Sequence, residues 1–158
     1  MSWADRLLRL AIGDPKREIA NQLVAMRQRA ADQAHLLTAG AAQAPTAAAE
    51  RELHALAADR RAQTAALAHA LEERGAPSDM PAAPTPVPNG AARNHWARLV
   101  AALEACRQER GQILRATPRL LELDPPLGEL LETVLRGLDA ELLTLRAMIA
   151  RADPQALN

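Results

Sequence analysis

Four histidines are the side chains of this sequence that could ligate a metal ion or exchange a proton near neutral pH. They are His35, His54, His69 and His95. No two of them stand three or four residues apart, so no single helix carries a local metal clamp. His54 and His69 lie about four turns apart on one predicted helix, too far to share an ion. His35 and His54 could approach each other across two neighbouring helices, where we expect a surface pair rather than a site.

The single cysteine, Cys106, excludes an internal disulfide and any paired-cysteine metal or redox motif. It lies in the apolar repeat of a predicted helix, where cysteine usually behaves as a small buried hydrophobic residue. The alternative is a reactive thiol assisted by Arg107 and Arg110, which would need exposure and a lowered pKa. The sequence shows no Ser-His-Asp set and no phosphate-binding loop. It therefore offers no motif for nucleophilic catalysis.

The elements that must position these residues are helices. Ala, Leu, Arg and Glu dominate the chain, whose aromatic residues are only Trp3 and Trp96. Sheets favour β-branched and aromatic residues, whereas this mixture is typical of long packed helices. At 158 residues the chain fits one domain with a real core. The fold class predicted is all-α.

Charge and hydropathy exclude other classes of protein. Basic and acidic side chains balance at 19 each, and with so few aromatic rings the sequence lacks the signature of a nucleic-acid binder. No apolar run approaches the ~18 residues that span a bilayer, and the N-terminus lacks the order of a signal peptide. We expect a cytoplasmic protein without a cofactor.

A proline-rich segment, residues 75–90, divides the chain into two halves. Its five prolines fix φ and remove backbone donors, so no helix crosses it. In polyproline II conformation about fifteen residues reach on the order of 45 Å, more than the ~36 Å length of a 24-residue helix. The length predicts two helical hairpins, 15–75 and 91–153, joined by one end-to-end crossover.

Apolar residues repeat along each of the four long helices at alternating three- and four-residue steps. Asp14 before Pro15 begins helix 1, and Thr46 caps helix 2, which ends at Gly75. Helix 3 begins near Asn94, Pro118 bends or ends it, and Asp124 caps helix 4. The repeat predicted for helix 3 is Trp96, Leu99, Leu103, Cys106, Arg110, Ile113 and Leu114, and that for helix 4 is Leu127, Leu131, Val134, Leu138, Glu141, Leu145 and Met148.

A short amphipathic helix is predicted before the bundle, within residues 1–13. Trp3, Leu7 and Leu10 share its apolar face. We expect this face to be an interaction surface that packs on the end of the bundle. A membrane-surface anchor over residues 2–12, using Arg6 and Arg9, is the alternative.

The sequence resembles the rubrerythrin-like branch of the ferritin-like superfamily over about residues 15 to 153. The resemblance rests on the order hairpin, long crossover, hairpin, and on two phrases that echo a family motif, Leu-Ala-x-Asp-Glu-x-x-His-x-x-x-Leu. The first phrase is Leu56-Ala57-Ala58-Asp59-Arg60-Arg61-Ala62-Gln63 with Leu67, and the second is Leu138-Asp139-Ala140-Glu141-Leu142-Leu143-Thr144 with Met148. It implies a four-helix bundle that comprises residues 14–153.

The resemblance also implies a di-metal site, but the ligand positions differ. Members hold two metals with a Glu from each of two helices and Glu-x-x-His from each of the other two. In the first hairpin Arg60, Gln63 and Gln28 stand at such positions, and in the second Thr144 replaces the histidine. Glu104 and Glu141 are the carboxylates that remain for metal. We therefore expect a degenerate site without metal.

Charged residues in the apolar repeats predict ion pairs in place of the ligands. Folding helix 3 back on helix 4 about Asp124 places positions that sum to about 250 at one level, because both helices rise equally. Arg110 then faces Glu141, and Glu104 faces Arg146. Such pairs fix the register of two helices rather than perform catalysis.

The function predicted is protein–protein interaction or assembly without catalysis, with a homodimer or a protein partner. The first alternative is a di-iron or manganese redox or metal-binding protein that uses Glu104 and Glu141. A bundle that binds a hydrophobic ligand among its small Ala side chains is the other.

Overall fold

The computed structural model describes residues 14–76 and 94–152 of the chain. No strand occurs in these ranges, so the all-α prediction is confirmed. They form four α-helices and one 3₁₀ turn: α1 (Pro15–Ala41), α2 (Ala47–Glu73), α3 (His95–Leu123), the turn Pro125–Leu127, and α4 (Gly128–Arg151).

Three of the helices begin at side-chain caps: the sequence predicts Asp14 and Thr46 as caps, and Asn94 stands where the start of α3 is predicted. Asp14, Thr46 and Asn94 each accept a hydrogen bond of 2.7 to 3.2 Å from a backbone N–H in the first turn. Pro15 follows Asp14 at the first position of α1, where its missing N–H costs nothing. The end of α2 is marked by Gly75, whose φ of 67° is a left-handed conformation that other residues rarely adopt.

Helix α3 continues through Pro118, where the sequence analysis predicts a bend or an end. Proline has no N–H to donate to the carbonyl four residues before it. Because Pro118 lies on the exposed side of the helix, water can solvate that carbonyl. The neighbouring Thr117 hydroxyl donates to the Ile113 carbonyl at 2.8 Å. Pro118 does not end the helix, which continues to Leu123, one residue before Asp124.

Asp124 does not cap α4, and that prediction is wrong. The turn Pro125–Leu127 separates it from Gly128, the first residue of α4, which has no side-chain cap. The Asp124 carboxylate instead accepts a 2.6 Å hydrogen bond from Nε of Arg74. Because both side chains are about four-fifths buried, this pair ties the end of α2 to the turn between α3 and α4.

Each helix packs against two others. Helix α1 contacts α2 and α3, while α4 contacts α2 and α3. Surface ion pairs show how these helices run: Glu18 at the start of α1 binds Arg119 near the end of α3. In the same way Glu52 near the start of α2 binds Arg151 at the end of α4. The two contacts place the beginning of one helix beside the end of the other.

The four helices share one core made mostly of leucine. The repeat predicted for α4 is buried at all seven positions, from Leu127 to Met148. The repeat of α1 is buried too, from Ile19 to Leu37. At ~1.5–3 kcal/mol for each fully buried large apolar side chain, this core is the main source of stability.

Several predicted features lie outside the described residues. These are the N-terminal helix with Trp3, Leu7 and Leu10, and most of the proline-rich segment. Among the helices of residues 14–76 and 94–152, none is both long enough and apolar enough to cross a membrane.

Candidate functional site

The most unusual group in the core is the guanidinium of Arg60, whose side chain is fully buried in the middle of α2. It occupies a position in the apolar repeat of that helix, between Leu56 and Leu67. A charge can remain in such a place only when other groups neutralise it and satisfy its donors.

Two buried carboxylates from two other helices supply that compensation. Nε and Nη2 of Arg60 donate to the two carboxylate oxygens of Glu141 on α4, at 2.6 and 3.2 Å. Nη1 donates to Oε2 of Glu109 on α3 at 2.7 Å, and to Oε1 of Gln63 at 3.3 Å. We call these four residues the Arg60 cluster. It joins three helices through one planar side chain.

Opposing effects set the protonation of the Arg60 cluster. Burial works to lower the pKa of Arg60, but the charges of Glu109 and Glu141 outweigh it and leave the pKa raised. Burial also raises the pKa of Glu109 and Glu141 above the ordinary glutamate range, against the opposing influence of Arg60. The single positive charge of Arg60 balances only one ionised carboxylate. With both Glu109 and Glu141 ionised, the cluster would therefore carry one net negative charge.

Cys106 lies beside this cluster and is fully buried. Burial, with the nearby charge of Glu141, raises the pKa of the thiol to about 12. Its Sγ–H donates weakly to the carbonyl of Leu138, at 3.6 Å. A reactive thiol needs exposure and a lowered pKa, so the structure favours the interpretation of Cys106 as a buried hydrophobic residue.

The ion pairs predicted from helix register are not those that form. Glu141 pairs with Arg60 instead of Arg110, and Arg110 donates to Asp139 at 2.5 Å on a partly exposed surface. Glu104 is exposed and accepts a hydrogen bond from Gln108. Within the described residues no ion pair joins Glu104 to Arg146, another exposed residue.

Glu109 is the charged residue of α3 that is buried, whereas the apolar repeat predicts Arg110 at that place. The buried residues of that helix are Leu99, Cys106, Glu109, Ile113 and Leu120. Four of them, all except Glu109, are spaced by seven, and Glu109 falls three after Cys106 and four before Ile113. This seven-residue spacing could have identified Glu109 as a buried residue, because a step of three residues after Cys106 continues the apolar repeat as well as a step of four.

The residues present do not fit a di-metal centre of the ferritin-like kind. A guanidinium in contact with both buried carboxylates repels cations and occupies their lone pairs. Thr144 donates its hydroxyl to the carbonyl of Ala140, and Glu104 is exposed. Among residues 14–76 and 94–152 no group of three or more His, Cys, Asp and Glu could hold a metal ion.

The side chain of Gln63, a member of the Arg60 cluster, lies against Gly137 of α4. A Cβ atom added at Gly137 of α4 would overlap Nε2 of Gln63. Glycine at this position leaves room for the Gln63 amide, which also contacts Arg60. A side chain at position 137 would displace this flexible amide and not the backbone, and φ is not positive there.

A groove of about 540 Å³ lies between α1 and α2, and it bears on the alternative of a hydrophobic ligand bound among Ala side chains. Ala31, Ala34, Ala65 and Ala68 line it, together with His35 and Arg61. Nη2 of Arg61 donates to the Thr38 hydroxyl at 2.7 Å across the two helices. The groove is open at the surface, so it differs from an enclosed apolar pocket in the core.

No protein-family model matches this chain, and no curated protein and no solved structure matches it significantly. The resemblance to the ferritin-like superfamily stays a prediction from the residues.

Proposed function

We propose that this chain is a non-catalytic, ferritin-like four-helix bundle that acts by binding or assembling with other protein molecules. In this proposal two antiparallel hairpins, 15–75 and 91–153, are joined by the proline-rich crossover. The contacts of Glu18 with Arg119 and of Glu52 with Arg151 support that arrangement. A cytoplasmic location and a homodimer or a separate protein partner belong to the same proposal.

The observation that carries the proposal is that the two buried carboxylates of the described core bind Arg60 and that the buried thiol is inert. Arg60 binds both buried carboxylates, Glu109 and Glu141. The buried thiol of Cys106 has a pKa of about 12, so it is not a nucleophile at neutral pH. A catalytic acid, base or ligand must instead be free to meet a substrate or metal.

The surface supports the second half of the proposal. Three large apolar side chains are exposed in the described residues: Leu36, Leu114 and Leu143. Two of them, Leu114 on α3 and Leu143 on α4, belong to helices that pack on each other. A partner protein that packs on α3 and α4 would cover both of these side chains.

Metal content tests the non-catalytic part of the proposal against the di-iron or manganese alternative. Untagged protein purified without chelator, then incubated with Fe²⁺ or Mn²⁺ and desalted, should contain substoichiometric metal by mass spectrometry. The E141Q variant should give the same low content as the native protein. Stoichiometric metal that E141Q or E104Q removes would contradict the proposal and favour the alternative.

A further inference from the structure

The surface between α3 and α4 carries arginines without acidic partners around an exposed leucine. We define the α3–α4 groove by six residues that line its volume of about 440 Å³: Arg107, Arg110, Gly111, Asp139, Leu143 and Arg146. Arg110 is paired with Asp139. Arg107 and Arg146 are exposed, and no acidic group of the described residues lies within salt-bridge distance of either. The groove therefore has an excess of positive charge.

Leu143 gives the α3–α4 groove an apolar anchor point. It is 67% exposed, more than either Leu36 or Leu114. It stands on α4 one turn after Asp139 and one turn before Arg146, so charge surrounds it along the helix. A small inorganic anion would use the arginines and leave this leucine in water. A peptide with both acidic and apolar side chains would cover them together.

Gly111 keeps part of the α3–α4 groove free of a side chain. Glycine is unfavourable in a helix interior, and only proline is worse. Among the described glycines a positive φ occurs only at Gly75, so the backbone does not require glycine at position 111. A Cβ atom there would meet only the flexible end of Arg115, at an ordinary 3.5 Å. No contact of the described residues needs this space, in contrast to Gly137 against Gln63.

We infer that the α3–α4 groove binds an acidic peptide segment of another protein. The inference rests on the proposed function and specifies its partner. An apolar side chain of the peptide packs over Gly111 and against Leu143, while flanking carboxylates pair with Arg107 and Arg146. Charge complementarity of this kind accelerates association and selects the partner.

The remainder of this chain does not supply such a segment. Outside the described residues its acids are Asp5, Asp79 and Asp153, one in each of three separate stretches. The first stretch also carries Arg6 and Arg9, which the groove would repel. The occupant that fits the charge is therefore a second molecule.

The experiment measures binding of a fluorescein-labelled helical peptide of Glu and Leu, with Leu on one face, to the full chain. A matched peptide carries Gln in place of every Glu. We expect the Glu peptide to bind at least about tenfold more tightly than the Gln peptide at low salt, and to weaken as salt rises. Equal binding of the two peptides would overturn the inference.

Variants locate the binding. R107E/R146E should weaken binding of the Glu peptide by about tenfold or more, and G111Q should do so without changing the charge. G111Q also replaces glycine by a better helix former, so it keeps the fold. The control is R17E/R51E, with the same charge change at two exposed positions on α1 and α2. Equal losses in R107E/R146E and in this control would overturn the inference.

Three other outcomes would also overturn it. Displacement of the peptide by inorganic phosphate with no effect of G111Q would assign the arginines to a small anion. Arginine-dependent binding to phosphatidylserine vesicles, without peptide binding, would assign them to a membrane. Dimerisation that L143S abolishes would assign the groove to a second copy. In each case the metal analysis still tests the proposed function separately.

Discussion

Arg60 on α2 and Glu141 on α4 form two hydrogen bonds, of 2.6 and 3.2 Å, although 81 positions separate them in the sequence. Glu109 on α3 takes a further Arg60 donor at 2.7 Å, so one side chain links three helices inside the core. We expect this link to fix the relative height and rotation of the three helices. Its contribution would then be specificity of packing, because apolar groups in its place could give similar stability.

Replacing Arg60 by methionine should destabilise the protein strongly. The R60M variant leaves Glu109 and Glu141 buried without a cation, a change that typically costs ~3–5 kcal/mol. Urea unfolding followed by circular dichroism measures the loss. The matched control is R61M at the next, exposed position, which should cost no more than about 1 kcal/mol. Adding E109Q and E141Q to R60M should recover part of the loss, and equal costs for R60M and R61M would contradict the role of the cluster.

Changing Glu109 to Gln should alter how stability depends on pH. Burial raises the pKa of Glu109, so the folded protein retains a proton that the unfolded chain releases. The stabilisation that this bound proton gives to the folded protein is fully present below the unfolded glutamate pKa of about 4.3. It is lost as the pH rises to the pKa of Glu109 in the folded protein. The free energy of unfolding of the native protein, relative to E109Q, should therefore fall as pH rises from about 4.3. A relative stability that increased with pH would show a lowered pKa of Glu109 and would contradict the prediction.

Cys106 should be unreactive in the folded protein. With a pKa of about 12, its thiolate fraction at pH 8 is roughly a thousandfold below that of an unfolded cysteine. We expect an aromatic disulfide reagent to modify it only at the rate of unfolding. The same protein in urea provides the control, where the reaction should be fast. Rapid modification without urea would show that the thiol is accessible.

Alanine at Gly137 should reveal the contact with Gln63. The substitution improves helix propensity by about 1 kcal/mol but forces the Gln63 amide away from Arg60. In the Q63A background the obstruction is gone, so G137A should stabilise by about 1 kcal/mol more than it does in the native chain. A double-mutant cycle by urea unfolding measures this coupling. Additive effects would show that the two residues do not interact.

The buried faces of three helices could be predicted from the sequence, whereas the buried face of α3 could be predicted only in part. Apolar residues of α1, α2 and α4 follow one repeat without ambiguity. In α3 both Glu109 and Arg110 continue the repeat after Cys106, and both are charged. One residue turns about 100° around a helix, so that choice decides which charge is buried. Once Arg110 was placed inside, its predicted pairing with Glu141 followed and was wrong.

The sequence by itself determined the helices and the starts of three of them, because caps such as Asp14 and Thr46 act on the backbone within one turn. It also determined the buried stripes of α1, α2 and α4, because apolar spacing is a property of each helix alone. Only the tertiary structure decided that Arg60 meets Glu109 and Glu141. That contact depends on the rotation of three helices about their own axes, and the position of a buried charge is set by all of its neighbours together.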